Sequence, residues 1–366
     1  MVDPLSLQAA ILRGELPSEL FALGGERLDA FLAAADAEGV SALLRHRLAA
    51  AGVLETLPAA LVEGLQGAAL ALAARDLARR RENARLFARL RRSGLDFLLL
   101  KGEALAHTLY PAPHLRPRLD TDLLFPDRSA AQAAVAALLR LGYAATPAPE
   151  GRFGPLQWEC SRDLGGGLIH WVDLHASLCN NLWLGCRFPF GELIHHSQPL
   201  AYEGVAVRVP TPPLALLHGC LHRLANLRAG TADRLIWRYD LWRLAEAMDE
   251  GEWRTFLTLA AHKGVAGFCA EALARMLEFF PSSAAERALP HLAEAGRREW
   301  RPPGLDRSWG HYLADLKSLP ELSARLAYLR ELAFPPAAYM RARYGIRHGW
   351  LLPWSYLRRL GRVLGK

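Results

Sequence analysis

The feature that most constrains this chain is a pair of acidic residues inside an apolar segment. Residues 119–125 read LDTDLLF, so Asp120 and Asp122 alternate with Thr121 and Leu123. In a β-strand, residues two apart point to the same side of the sheet, so this pattern predicts two carboxylates on one face and packing residues on the other. Adjacent carboxylates repel each other unless a proton or a cation lies between them. Carboxylates and substrate phosphates are also the ligands that Mg²⁺ prefers.

A second apolar segment precedes this strand and ends in a basic residue. Residues 97–100 are followed directly by Lys101 and Gly102, and a short helical segment comes next. A proline-broken loop then carries Arg116 to the acidic strand. Lysine is rare in this arginine-rich chain, so Lys101 indicates a role that needs a compact point charge.

A third carboxylate occurs in a later predicted strand, at residues 168–174. Ile169, Trp171, Asp173 and His175 share one face of that strand. Asp173 reaches Asp120 and Asp122 only if the two strands are neighbours, and a shift of one residue in register would turn Asp173 to the opposite face. We therefore expect the two strands to pair.

Taken in order, these residues resemble the polymerase-β-like nucleotidyltransferase superfamily, and more closely a bacterial group of uncharacterised nucleotidyltransferases. The likeness covers roughly residues 90 to 245 and rests on Lys101-Gly102, Tyr110-Pro111, Arg116, Asp120-Thr121-Asp122 and Asp173-Leu174-His175. One departure is that the wider superfamily has Gly-Ser where this chain has Gly102-Glu103. A basic side chain must then replace the phosphate-binding hydroxyl, and Glu103 must face away or bind metal.

The resemblance implies a metal-dependent nucleotidyltransferase that moves an NMP from an NTP to a hydroxyl group and releases pyrophosphate. Two Mg²⁺ ions would be held by Asp120, Asp122 and Asp173, and Asp173 would also activate the acceptor hydroxyl. The NTP would be bound by Lys101, Gly102 and Arg116, with His175 in support. The acceptor is a small molecule, a peptide or a protein. Two alternatives stay open: an enzyme that acts on RNA, which is not favoured, and a scaffold that binds nucleotide without transfer.

The predicted fold class is α+β, with a small mixed nucleotidyltransferase sheet flanked by helices. We expect a helical region at 1–92, the core at 93–210 with further strands at 156–161 and 205–209, and a helical region at 211–366. Asp127 is a candidate cap for the helix after the acidic strand, and Thr211 with Pro212 is a candidate helix start.

Composition limits the class of protein further. The chain is 51% hydrophobic and 22% charged, which is typical of globular proteins. It has no apolar run of about 18 residues and no signal-peptide pattern at its start, so we expect a cytoplasmic protein. The five cysteines contain no Cys-x-x-Cys motif and are interpreted as reduced thiols in the core rather than as disulfides or a zinc site.

Three further patterns have a functional and a structural interpretation. The net charge is +7, and Arg79, Arg80 and Arg81 form a basic run that suits RNA, although a solvated helix face is favoured. His218 and His222 have the spacing of a helical metal pair, but the glutamate of His-Glu-x-x-His is missing and metal binding there is not expected. The aromatic and basic tail from Trp350 to Lys366 suits a weak contact with a membrane surface, although a docked helix is favoured.

Overall fold

A mixed sheet forms the centre of the computed structural model, which describes residues 3–149, 151–228, 230–231, 233–301, 308–346 and 348–364. The described residues contain a seven-stranded sheet with the order β3-β4-β5-β2-β1-β7-β6. Its strands are β1 (Leu98–Leu100), β2 (Asp120–Leu124), β3 (Ala144–Ala145), β4 (Gln157–Asp163), β5 (Ile169–His175), β6 (Ser197–Tyr202) and β7 (Val205–Pro210). β2 pairs in parallel with β5 and antiparallel with β1.

Helices precede, flank and follow this sheet. Those before it are α1 (Pro4–Arg13), α2 (Gly25–Ala37), α3 (Ser41–Ala50) and α4 (Ala59–Arg92). Those between its strands are α5 (Lys101–Thr108), α6 (Arg128–Arg140), α7 (Leu182–Gly185) and α8 (Phe190–His195). Those after it are α9 (Pro212–Arg228), α10 (Leu235–Ala247), α11 (Glu250–His262), α12 (Ala266–Leu277), α13 (Ser283–Arg297), α14 (Ser308–Ser318), α15 (Leu322–Ala333), α16 (Ala337–Tyr344) and α17 (Leu352–Leu364). The expected α+β class with helical terminal regions is confirmed.

Local sequence signals set several of these boundaries. The Asp127 carboxylate accepts a hydrogen bond from the Ala130 backbone N–H and caps α6, as predicted. Helix α9 starts at Pro212, directly after Thr211. Gly94 has a φ of 71° just past the end of α4, a conformation that glycine adopts without a Cβ penalty.

The two faces of the sheet belong to two different buried clusters. Leu98, Leu100 and Leu124 pack into a large cluster that also contains residues of the N-terminal helices and of α9–α13. Leu99 and Leu123 pack on the other side, with the end of α4 and with α6. The sheet alternates sides along each strand, so Asp120 and Asp122 share the face of Leu124, and Thr121 shares the face of Leu123. The boundaries at 92 and 210 stay predictions, although the first cluster joins helices from both terminal regions.

A buried polar network fixes the loop that leads into β2. The Arg118 guanidinium lies 2.6 Å from an Asp76 carboxylate oxygen on α4 and 2.6 Å from a Glu103 oxygen on α5. Arg79, also on α4, donates from Nη1 to the Arg118 carbonyl at 2.5 Å. Because unpaired buried charges are costly, these contacts fix Arg118 and the loop around it.

This network corrects the interpretation of the basic run on α4. Arg79 is only 7% exposed and faces the protein, so it is neither a solvated residue nor an RNA contact. Arg80 Nε lies 3.2 Å from Glu203, and Arg81 is exposed. The helical conformation of α4 was predicted correctly. Its buried side extends to Arg79, the first residue of the basic run, because the loop that leads into β2 covers this residue.

The C-terminal helix α17 is docked against its neighbours and keeps one apolar side exposed. The Tyr356 hydroxyl donates to the Pro335 carbonyl at 2.8 Å, and Arg359 donates to the Leu332 carbonyl at 3.2 Å. Trp354 and Leu357 are 71% and 60% exposed. The docked helix is thereby confirmed over its described part, Lys366 lies outside the described residues, and membrane contact stays a prediction.

Two further sequence expectations concern membrane spans and thiols. The helices that the structure describes include none with the length and apolar character to cross a membrane. All five cysteines lie within the described ranges and are free thiols. Cys160, Cys220 and Cys269 are buried and Cys179 is half-buried against the core, but Cys186 is exposed, so the expected core placement is wrong for Cys186.

Candidate active site

The two acidic strands are direct neighbours. In the parallel pairing of β2 with β5, Asp122 lies opposite Asp173 and Asp120 lies opposite Trp171. Directly opposed residues point to the same side of a sheet, so Asp173 faces the side of Asp120 and Asp122. The predicted pairing of these strands, in the register that brings the carboxylates together, is confirmed.

Lys101 is held beside Asp122 by the antiparallel pairing of β1 and β2. Leu100 lies opposite Asp122, and the next residue, Lys101, places Nζ 2.5 Å from the Asp122 Oδ1 atom. Lys101 has a φ of 51°, which is unusual for a residue other than glycine. Such backbone strain costs about 1–3 kcal/mol and clusters at functional sites.

His175 and Gln157 complete the polar surroundings of the carboxylates. His175 Nε2 lies 2.9 Å from Asp122 Oδ1, so one oxygen of Asp122 contacts both the histidine and Lys101. Gln157, on β4, donates from Nε2 to Asp173 Oδ2 at 2.5 Å. Nothing in the sequence pointed to Gln157, because its place opposite His175 follows from the register of β4 with β5.

The three carboxylates differ in their tendency to ionise. Burial and then the negative charge of Asp122 raise the pKa of Asp120 to about 6. Burial and then the charges of Asp122 and Asp120 raise the pKa of Asp173 to about 7. Burial opposes ionisation of Asp122 as well, but the positive charge of Lys101 and the hydrogen bond from His175 outweigh it and hold the pKa of Asp122 below its ordinary value. Asp122 is therefore the anchoring anion, and the other two bind protons near neutral pH.

Asp122, Asp173 and His175 form a group suited to a divalent ion. One ligand atom from each lies within 4.8 Å of the other two, and all three residues are buried. Carboxylate oxygens suit Mg²⁺ and Mn²⁺, and imidazole nitrogen suits Mn²⁺ less than it suits zinc or copper. The donor set therefore fits Mg²⁺ or Mn²⁺ bound by the carboxylate oxygens, with the imidazole nitrogen of His175 nearby.

A pocket opens beside the carboxylates of Asp120 and Asp122. It has a volume of about 370 Å³ and lies between the sheet and the helices α9 and α10. Lys101, Gly102, Asp120 and Asp122 line its sheet side, and the opposite wall contains His218, His222, Asn226 and Trp237. This volume is in the range of small-molecule sites.

The two histidines of α9 belong to that pocket wall. Their ring centroids are 6.3 Å apart, and His222 Nε2 lies 3.0 Å from Asn226 Nδ2. Burial, together with the charge of Lys101, lowers the pKa of His218 to about 3, so this ring is neutral at physiological pH. Burial lowers the pKa of His222 as well. The two histidines with the metal-pair spacing are therefore two neutral rings in the wall of the pocket that Asp120 and Asp122 also line.

Arg116 lies at the pocket but is already paired. Its Nη2 atom is 2.7 Å from Asp240 Oδ2, and its Nε atom is 2.9 Å from the same oxygen. The Tyr110 hydroxyl donates to the other oxygen, Oδ1, at 2.5 Å. Its predicted role in phosphate binding is untested, and a phosphate would have to share the guanidinium with Asp240.

Glu103 faces away from the pocket, which was one of its two expected placements. It is 1% exposed, and its carboxylate contacts Arg118 and accepts a hydrogen bond from the Tyr202 hydroxyl at 2.7 Å. Burial opposes its ionisation, but the charge of Arg118 and the hydrogen bonds from His107, Arg118 and Tyr202 together outweigh burial and hold its pKa below the ordinary value. Gly102 lies close against the same loop, since an added Cβ would be 3.2 Å from Arg118 Cβ and 3.3 Å from Arg116 Nη1.

Comparison with known proteins bears on this geometry. Residues 25–281, about 70% of the chain, match the family of uncharacterised nucleotidyltransferases. The chain belongs to this family. The matched range contains the whole sheet, the pocket and the Lys101–Asp122 pair, so every residue described above for the site lies within it.

Among solved structures, the chain is similar to an antigenic nucleotidyltransferase-like protein from Paracoccidioides brasiliensis. The sequences are 16% identical, the alignment covers 60% of this chain and 92% of the other, and the TM-score is 0.37. No curated protein matches the sequence of this nucleotidyltransferase family member.

Proposed function

We propose that this family member transfers a nucleoside monophosphate from an NTP to a hydroxyl group of a small molecule, a peptide or a protein. The single observation that carries the proposal is the Asp122–Asp173 register, which puts Asp173 directly beside a carboxylate that lines the pocket together with Lys101 and Asp120. The same arrangement supports membership of the polymerase-β-like superfamily, and bacterial origin stays a prediction.

The cofactor would be two divalent ions. Asp122 and Asp173 would hold them together with Asp120, and His175 lies within reach of Asp122 and Asp173 as a further donor. When bound, two such ions neutralise the phosphates and hold the attacking and leaving oxygens of an in-line displacement. Asp122 is the ionised member that would bind first, because Lys101 and His175 stabilise its charge.

Lys101 and the start of α5 would hold the triphosphate. Lys101 supplies a positive charge, and the backbone N–H groups of Gly102 and Glu103 lie in the first turn of α5, where the helix dipole favours anions. An added Cβ at Gly102 would be tight against Arg116 and Arg118, so a side chain there would have to shift this loop. Arg116 would neutralise the leaving pyrophosphate while it remains paired with Asp240.

Asp173 would act as the base. Its pKa is raised to about 7 in the metal-free site, chiefly by burial, and a bound cation would keep this carboxylate ionised and able to accept a proton. The acceptor O–H would give its proton to Asp173 as its oxygen forms a bond to the α-phosphorus. The bond from that phosphorus to the pyrophosphate oxygen breaks in the same displacement, and pyrophosphate leaves with its negative charge beside Lys101 and Arg116.

The test is to incubate the protein with each α-labelled NTP and Mg²⁺ in a cell extract and to trace the label. We expect label to appear on one class of acceptor with wild type and not with Asp122→Asn. Label that appears on RNA would replace the proposed acceptor class. Tight NTP binding without any transferred label, in every extract and with Mn²⁺ as well, would show a scaffold rather than an enzyme.

A further inference from the structure

Lys101 lies against Asp122, which is one of the three residues that could hold a divalent ion. The ammonium nitrogen is 2.5 Å from Asp122 Oδ1, and the side chains of the two residues are 17% and 2% exposed. His175 Nε2 is 2.9 Å from the same oxygen. Asp122 Oδ1 is therefore saturated by two protein donors.

A divalent ion at Asp122 would compete with Lys101. Mg²⁺ binds oxygen at about 2.0–2.1 Å, so it cannot share Oδ1 with the ammonium and the histidine, and on the other oxygen of the same carboxylate it would still lie close to the ammonium. Two positive charges that close also repel strongly in a buried site. His175 can stay as a neutral neighbour or ligand, so Lys101 is the donor that has to move.

The pocket offers Lys101 a second partner. Its side chain lines the pocket together with Gly102, at the start of α5 where an anion is favoured. A triphosphate in that position presents oxygens to the ammonium, which can then leave Asp122 without losing a counter-ion.

We propose that Lys101 and a divalent ion compete for Asp122, and that a bound triphosphate ends the competition by pairing with Lys101. This inference rests on the proposed function. It makes Lys101 an internal substitute for the metal: without nucleotide the protein holds its own cation at the carboxylates and binds metal weakly. Metal and nucleotide then bind with positive coupling. The nucleotide draws Lys101 away from Asp122 and so frees the metal site, and a metal ion at Asp122 frees Lys101 to pair with the phosphates.

The test measures Mn²⁺ binding in the absence of nucleotide, from the electron paramagnetic resonance signal of free Mn²⁺. We expect Lys101→Met to bind Mn²⁺ about tenfold more tightly than wild type, because a competing charge has been removed. Lys101→Gln, which keeps a hydrogen-bond donor without the charge, should also bind more tightly. The same variants should bind a non-hydrolysable NTP more weakly.

Lys263→Met is the matched control. Lys263 is 7% exposed and pairs with Glu192 at 2.5 Å, but it lies outside the pocket that contains Lys101. This variant should bind Mn²⁺ as wild type does. Circular dichroism and thermal unfolding of each variant show whether it is folded, and Lys101→Gln carries the test if Lys101→Met is not.

The outcomes separate the inference from the proposed function. Mn²⁺ affinity in Lys101→Met and Lys101→Gln that is equal to or weaker than that of wild type overturns the competition but leaves a metal site in place. Absence of Mn²⁺ binding in wild type and in all variants, with and without nucleotide, overturns the metal-dependent function and the competition together.

Discussion

Asp122 and Asp173 lie directly opposite each other on neighbouring parallel strands, although one helix and two strands separate them along the chain. The contact joins a carboxylate that stays ionised to one that takes up a proton near neutral pH. A cation that binds at this site would displace the proton from Asp173. The two acidic residues of β2, Asp120 and Asp122, also differ, because the pKa of the first is raised and that of the second is lowered.

Replacing either acidic residue of β2 by asparagine should abolish transfer, but the two variants should differ in stability. Asp120→Asn removes a carboxylate that burial and Asp122 disfavour, so its free energy of unfolding without metal should equal or exceed that of wild type. Asp122→Asn leaves Lys101 without its carboxylate and should cost roughly 3–5 kcal/mol. Urea unfolding at pH 8 with a chelator measures both. Equal shifts in the two variants would contradict the separate roles of the two residues.

The free energy of unfolding of the metal-free protein should carry a pH dependence from Asp173. Its folded pKa of about 7 lies above the ordinary value of 3.8, so between these pH values the folded protein keeps a proton that the unfolded chain has lost. Stability from this group is therefore full below about pH 4 and falls as pH rises towards 7, by on the order of 1 kcal/mol per unit.

The measurement is the difference in free energy of unfolding between wild type and Asp173→Asn from pH 4 to 8, with a chelator present. The difference should shift in favour of Asp173→Asn as pH rises and level off above about pH 7. Asp163→Asn, at an exposed position in the same hairpin, is the control for the effect of the substitution itself. A difference for Asp173→Asn that does not change with pH would mean that Asp173 is ionised throughout this range.

Arg79 and Arg81, two residues apart on α4, should respond differently to replacement by methionine. Arg79 donates to the carbonyls of Arg118 and Leu119 at 2.5 and 3.3 Å, so Arg79→Met should lower the free energy of unfolding by about 1.5–3 kcal/mol. It should also lower transfer, because those carbonyls lie in the loop that leads into Asp120. Arg81→Met, at an exposed position, should be within about 0.5 kcal/mol of wild type. Urea unfolding of both variants tests this, and similar losses would contradict the buried placement of Arg79.

Asp240→Asn should bind NTP more tightly than wild type even though the protein becomes less stable. The change frees Arg116 from its carboxylate partner, and an unpaired guanidinium attracts phosphate more strongly. Arg116→Lys should weaken NTP binding, since lysine cannot form the same planar fork. Calorimetric titration with a non-hydrolysable NTP measures both.

Asp315→Asn is the control for that experiment. Asp315 is also buried and accepts a hydrogen bond from a tyrosine hydroxyl, that of Tyr328 at 3.0 Å, but it does not line the pocket. It should lose stability without a change in NTP affinity. If Asp240→Asn behaves in the same way, Arg116 supports the loop and does not bind phosphate.

Most of the sheet could be predicted from short-range patterns. Short apolar or alternating segments placed β2, β4, β5 and β7, and the alternation is clearest in β4, where Trp158 and Cys160 are buried and Glu159 between them is exposed. β6 was missed because Pro199 interrupts its pattern, and proline counts against a strand unless the strand lies at an edge. β6 is the last strand in the order, so the proline is tolerated there.

The site could be predicted in its residue types but not in its pairings. Asp120, Asp122, Asp173 and Lys101 were named from the sequence, and the structure brings Lys101 and Asp173 to Asp122. The pairing of Lys101 with Asp122 depends on the register of β1 against β2, which no local pattern encodes. The pairing of Arg116 with Asp240 joins residues far apart in sequence, and only the packing of α10 against the loop creates it.

Helix α4 has a consequence for how this protein can be divided. It is a single helix of 34 residues: Leu61 and Leu65 pack with the N-terminal helices, and Phe87 packs beneath the sheet. Between these ends, Asp76 and Arg79 hold the segment that enters the acidic strand. The sheet is therefore not a transplantable module, and a minimal fragment that keeps the arrangement of the carboxylates has to begin upstream of Asp76.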